Sequence, residues 1–123
     1  MLRLLLDEHV SPKVARGLRR RRPDVLVRYM SEWEQGGFLG QPDALCLQAA
    51  ALQRLTLVTY DCRTIPTLLK TWAEEGRSHA GVVFIDEKTI ASGNISSLVR
   101  ALNELCKEAG DWDWTNRVCF LQA

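Results

Sequence analysis

A chain of 123 residues, 46% hydrophobic and 25% charged, has the length and composition of one ordinary globular domain, which excludes a disordered or fibrous protein. A formal net charge of +1 excludes a global field for nucleic acid or anionic membrane, so any hold on a polyanion must come from a local patch. Cys46, Cys62, Cys106 and Cys119 have no C-x-x-C spacing and sit in apolar or helical patterns, as thiols of a cytoplasmic protein do, rather than as a zinc site or disulfide framework.

The first element is the run Leu2-Arg3-Leu4-Leu5-Leu6, a buried strand that ends in Asp7-Glu8-His9. It is too short for a signal-peptide core, and no later stretch approaches the ~18 apolar residues of a membrane span. Ser11-Pro12 predicts a helix start, with Ser as N-cap and Pro in the first turn. That helix should run to about Arg21, with Val14, Ala15 and Leu18 inward and Lys13, Arg16 and Arg19 to Arg22 in water. The arginine run suits a helix C-terminus, and Arg19 and Arg20 are also candidates for contact with a phosphate backbone.

Val25 to Tyr29 reads as a second strand. From Met30 to Gln41 periodicity is lost, and the stretch reads either as a flap over the strand edge or as a surface excursion pinned by Trp33 and Phe38. Pro42 opens a second helix with Asp43 in its first turn. Leu55 to Tyr60 is a third strand running into Asp61, and Pro66 starts a third helix closed by Gly76. Val82 to Ile85 is a fourth strand running into Asp86-Glu87. Ser92-Gly93-Asn94 caps a fourth helix ending at Gly110, Trp112 and Trp114 stand in a turn and pack in the core or at an interface, and Arg117 to Leu121 closes the chain as a strand. Strands alternating with helices imply an α/β fold, a three-layer α/β/α sandwich around a mostly parallel five-stranded sheet in a single domain, residues 1–123.

Three of those strands end in Asp, and parallel strands share their carboxyl edge, where open α/β sheets place ligands. Asp7, Asp61 and Asp86 would meet there, with Glu8 beside the first and Asp43 entering from a helix. Two carboxylates ~4 Å apart repel by ~4 kcal/mol at an effective dielectric near 20. Such a cluster takes up protons or a hard cation, and oxygen-only ligands select Mg²⁺ or Mn²⁺. Strand-end acids also serve as turn and helix caps, and that reading stays open.

Leu4-Leu5-Leu6-Asp7-Glu8-His9, Gly40-Gln41-Pro42-Asp43 and Leu57-Val58-Thr59-Tyr60-Asp61, in that order, resemble the short bacterial PIN-like domains, relatives of the toxin ribonucleases of the PIN nuclease superfamily. The resemblance covers essentially the whole chain. It implies a metal-dependent endoribonuclease acting on single-stranded RNA, with Asp7, Asp43 and Asp61 as the metal-binding catalytic acids, Glu8 assisting and Asp86 as a further acid. It implies Mg²⁺ or Mn²⁺ as cofactor and, for the toxin of a toxin–antitoxin pair, an antitoxin partner; it leaves open whether the chain forms a homodimer, and no membrane is involved. The chain departs from the family where Thr-x-Asp-x-Asp-Phe is usual, since Arg63 stands in place of the second acid. Arg63, with His9, is a candidate to touch substrate phosphate, and it keeps alive the alternative of a catalytically degenerate module that binds RNA or a protein. A phosphoacceptor receiver domain ranks last, because it needs a hydroxyl residue where Asp86 stands and a lysine after the final strand.

Overall fold

A computed structural model describes residues 1–123. Five strands, β1 (Arg3–Leu6), β2 (Leu26–Tyr29), β3 (Thr56–Thr59), β4 (Val82–Phe84) and β5 (Val118–Phe120), form one all-parallel sheet in the order β2-β1-β3-β4-β5. Leu4, Leu5, Leu6 and Val58 have no exposed surface, as expected of central parallel strands covered on both faces. The helices are α1 (Pro12–Arg21), α2 (Asp43–Leu52), α3 (Ile65–Glu74) and α4 (Ile95–Ala109).

Strand alternation divides the core in two. Leu4 and Leu6 face α1 and α4 in one cluster with Leu18, Leu98 and Leu102, while Leu5 faces α2 and α3 in the other with Leu47, Ile65 and Trp72. Ser11 caps α1, its hydroxyl accepting from Lys13 N–H (3.2 Å), and the Asn94 side chain caps α4 by accepting from Ser97 N–H (3.3 Å). Gly17 lets α1 and α4 approach closely, since a Cβ there would stand 2.8 Å from Val99 Cγ2. All four cysteines are free thiols, and Trp114 is buried with its indole N–H on the Ala109 carbonyl (2.9 Å), whereas Trp112 is half exposed. No helix is long and apolar enough to cross a membrane.

The structure refines the sequence reading at the strand ends and in the loop after β2, and corrects it along the arginine run. The sheet is parallel throughout, in keeping with the expected mostly parallel one, and each strand is shorter than its apolar run: Val25, Ile85 and Leu121, for example, are buried as strand residues would be, yet lie outside the paired registers. The arginine run does not all face water. Arg19 is only a third exposed, pairs with Glu32 (2.5 Å) and donates to the Val27 carbonyl (2.6 Å), and Arg22 reaches the Asn103 side chain (3.4 Å). Of the two readings of the stretch after β2, the structure favours the excursion pinned by Trp33 and Phe38. Trp33 is buried and stacks on Phe38 with ring centroids 4.6 Å apart. The Gln53 amide accepts from the Trp33 indole (3.1 Å) and donates to Glu34 (2.9 Å), holding Glu34 and Gln35 in left-handed conformations (φ 50° and 59°) that disfavour a side chain by about 1–2 kcal/mol each.

Candidate functional site

The order β2-β1-β3-β4-β5 reverses direction at β1 and β3: the chain leaves β1 toward β2, then crosses back to build β3, β4 and β5 on the other side. Doubly wound sheets of this order bind ligands outside the carboxyl ends of the strands at that reversal. Asp7 follows β1 and Asp61 follows β3 by two residues, so the two acids flank the crevice.

Thr59, the last residue of β3 and fully buried, fastens them together. Its hydroxyl donates to Asp7 Oδ2 (2.7 Å) and accepts from Asp61 N–H (3.0 Å), using donor and acceptor capacity at once. Asp7 Oδ1 accepts from Glu8 N–H (2.8 Å), while Asp7 N–H donates to the Val58 carbonyl (2.9 Å) and continues the β1–β3 ladder one residue beyond the strand. Tyr60, facing the other way, donates to the Ile90 carbonyl (2.9 Å) and ties down the loop before α4; burial first, then Glu87, pushes its phenol up to about 12.

Asp43 arrives on the first turn of α2. The Thr64 hydroxyl stands between it and Asp61, contacting Asp61 Oδ2 and lying 3.4 Å from Asp43 Oδ2. Burial raises the Asp43 pKa above its ordinary value, and the charges of Asp61, Asp7 and, least, Glu8 act in the same direction against the Thr64 hydrogen bond. Asp61 behaves oppositely. Burial works against its charge, but the Thr64 hydroxyl and the N–H groups of Thr64 (2.8 Å), Arg63 (3.0 Å) and Ile65 outweigh burial and hold it below the usual carboxylate range. The two acids are thus shifted in opposite directions, Asp61 toward its charged form and Asp43 away from it, as happens when carboxylates share a site.

Glu8 completes the rim: its Oε1 accepts from Gly40 N–H (3.3 Å), at the end of the Trp33 loop, where Gly40 has φ 74°. The sequence-predicted acids Asp7, Glu8, Asp43 and Asp61 thus come together. Asp86 stands apart. Its Oδ1 accepts from Lys88 N–H (2.9 Å), and its charge acts on Cys62, whose thiol is raised by burial, then Asp86, then Asp61. His9 and Arg63 are exposed, and Arg63 forms no ion pair. Arg19 is committed to Glu32, leaving Arg20 the exposed member of that predicted pair. Thr59, Thr64 and Gly40 are site residues that sequence reasoning did not single out. Thr59 belongs to the Thr-x-Asp motif, and Asp61-Cys62-Arg63-Thr64 before a helix has the spacing of a side-chain-capped turn, a signal for Thr64.

The donor set is chemically suited to a hard cation, being carboxylate oxygens with an excess of negative charge registered at Asp43. As arranged, no three acidic, histidine or cysteine side chains are posed as a finished ligand set. No family model, curated protein or solved structure matches the chain.

Proposed function

We propose that the chain is a PIN-like, Mg²⁺- or Mn²⁺-dependent endoribonuclease acting on single-stranded RNA. The observation that carries this reading is the convergence of Asp7, Asp43 and Asp61 on the Thr59 and Thr64 hydroxyls at the sheet's reversal point. Asp7, Asp43 and Asp61 would hold the ion, with Glu8 adjoining. When bound, it supplies Lewis acidity to a phosphoryl oxygen and acidity to a nearby water. The chain's own residues do the positioning: Thr59 locks Asp7, the turn N–H groups keep Asp61 charged, and Gly40 holds Glu8. Arg63 and His9, both exposed, would offset phosphate charge that the acids otherwise repel. In this reading the cytoplasm is the compartment, and an antitoxin protein is a partner if the chain is a toxin.

The test is cleavage of a panel of single-stranded RNAs with Mn²⁺ by the parent, Asp7→Asn, Asp43→Asn and Asp61→Asn. Asn keeps the volume and caps turns as well as Asp does, but lacks the charge. The expected result is parent cleavage, abolished by EDTA and reduced to background in all three variants with folds intact.

A second reading, a binding module that does not cleave, is favoured by one observation: Asp61 is already engaged as a turn cap, with the unpaired Arg63 two residues away. It takes precedence if the parent cleaves nothing and Arg63→Asp gains Mn²⁺-dependent cleavage.

A further inference from the structure

The fold treats the cations of the first helix and its end in two ways. Arg19 and Arg22 turn inward onto Glu32 and Asn103. Lys13, Arg16, Arg20 and Arg21 are each exposed and form no ion pair, Arg16 lying 5.9 Å over the Tyr29 ring. These four line a groove of about 560 Å³ between α1 and α4, floored by Gly17 and Val99. No acid lines it, and α1 itself carries none. Its far wall includes Ile95 and Ser96, the first turn of α4 and hence the positive end of that helix dipole.

Lys13, Arg16 and Arg20 follow one another at i, i+3 and i+7 along a single stripe, where like charges repel. In a chain whose 16 basic and 15 acidic residues nearly cancel, four uncompensated cations in one concavity create a local field that the net charge conceals. Lys13 stands in the first turn of α1, only six residues beyond Asp7, and ten residues of helix carry the stripe about 15 Å away from the carboxyl edge. A polyanion held at the acid cluster is repelled there and needs cations close by.

We propose that this groove binds the phosphodiester backbone of single-stranded RNA, as a track leading from the acid cluster past Lys13 and Arg16 to Arg20 and Arg21. The inference rests on the reading of the protein as acting on RNA. Arginine's planar fork matches phosphate oxygens in pairs, and three of the four cations are arginine.

The experiment is fluorescence-anisotropy titration of a labelled single-stranded RNA in EDTA over a series of KCl concentrations. It compares the parent, Arg16→Gln/Arg20→Gln, the independent pair Lys13→Gln/Arg21→Gln, and the control Arg54→Gln/Lys70→Gln, all verified as folded by circular dichroism. Losing two phosphate contacts should weaken binding about tenfold at low salt and reduce the slope of log K against log salt by about 1.4 in each groove variant. The control should match the parent. A parental slope in both groove variants, or an equal loss in the control, overturns the track. A polyglutamate peptide that binds the parent more tightly than RNA, through these same residues, overturns it in favour of an acidic protein partner. EDTA keeps the two readings separable: absence of cleavage with the predicted slope change defeats the nuclease alone, whereas cleavage with unchanged slopes defeats the track alone.

Discussion

Asp43 registers the charge of the whole site. Burial and three neighbouring carboxylates raise its pKa, so the folded protein binds this proton more readily than the unfolded chain does. For such a group the associated stability is present below the ordinary value of 3.8 and is lost as pH rises through the folded pKa. Metal-free Asp43→Asn should therefore melt above the parent at pH 7, with the difference shrinking as pH falls toward 3.8; calorimetry across pH checks this. Asp61 has the opposite sign, since its depressed pKa gives stability that is present above the ordinary carboxylate range and disappears on acidification. Asp61→Ala, which removes the acceptor for Thr64 and Arg63, should lower the melting temperature at pH 7, by an amount that diminishes below pH 4, whereas Asp61→Asn should preserve most of it. The acids were legible in sequence because each ends an apolar run or opens a helix. Thr59 was not, because its role requires Asp7, 52 residues away, to become its neighbour through β1–β3 pairing. Arg19 was misread as solvated for a similar reason: Glu32 lies in a stretch without periodicity.

The strands and helices were legible because buried parallel strands leave unbroken apolar runs and α4 repeats every 3.6 residues. Their ends were less so, since Val25, Ile85 and Leu121 are apolar and buried yet lie outside the paired registers, even though Ile85 and Leu121 still donate to the Thr59 and Phe84 carbonyls. The loop between β2 and α2 was the least legible element. Its conformation depends on left-handed Glu34 and Gln35, residues with no intrinsic preference for it, held by Gln53 from the end of α2. Trp33 is the anchor of this loop, and through Gly40 the loop reaches Glu8. Trp33→Ala should destabilise the protein by about 3–5 kcal/mol in urea unfolding. Hydrogen exchange at Gly40 should accelerate by more than that global loss accounts for, because the segment delivering it is no longer pinned; unchanged relative protection would show the loop to be held elsewhere.

At the scale of the molecule, a net charge of +1 conceals two opposed features: a carboxylate cluster at the reversal point of the sheet and an uncompensated basic groove along α1. The sheet order makes the first, because β1 and β3 are sequence-distant strands whose following acids become neighbours. Helix packing makes the second, because Gly17 brings α4 against α1 and sets the basic residues along a concave seam. An ion that binds only the assembled cluster stabilises the fold by mass action, ~2.7 kcal/mol at a hundredfold excess over Kd, so Mn²⁺ should raise the parent's melting temperature and leave that of Asp7→Asn nearly unmoved. The most direct measurement is isothermal titration of Mn²⁺ into the parent, Asp7→Asn and Asp61→Asn. Saturable binding by the parent, weakened at least about tenfold in each folded variant, is the predicted result; no binding by the parent, or equal affinity in all three, would contradict a metal-dependent site at Asp7, Asp43 and Asp61.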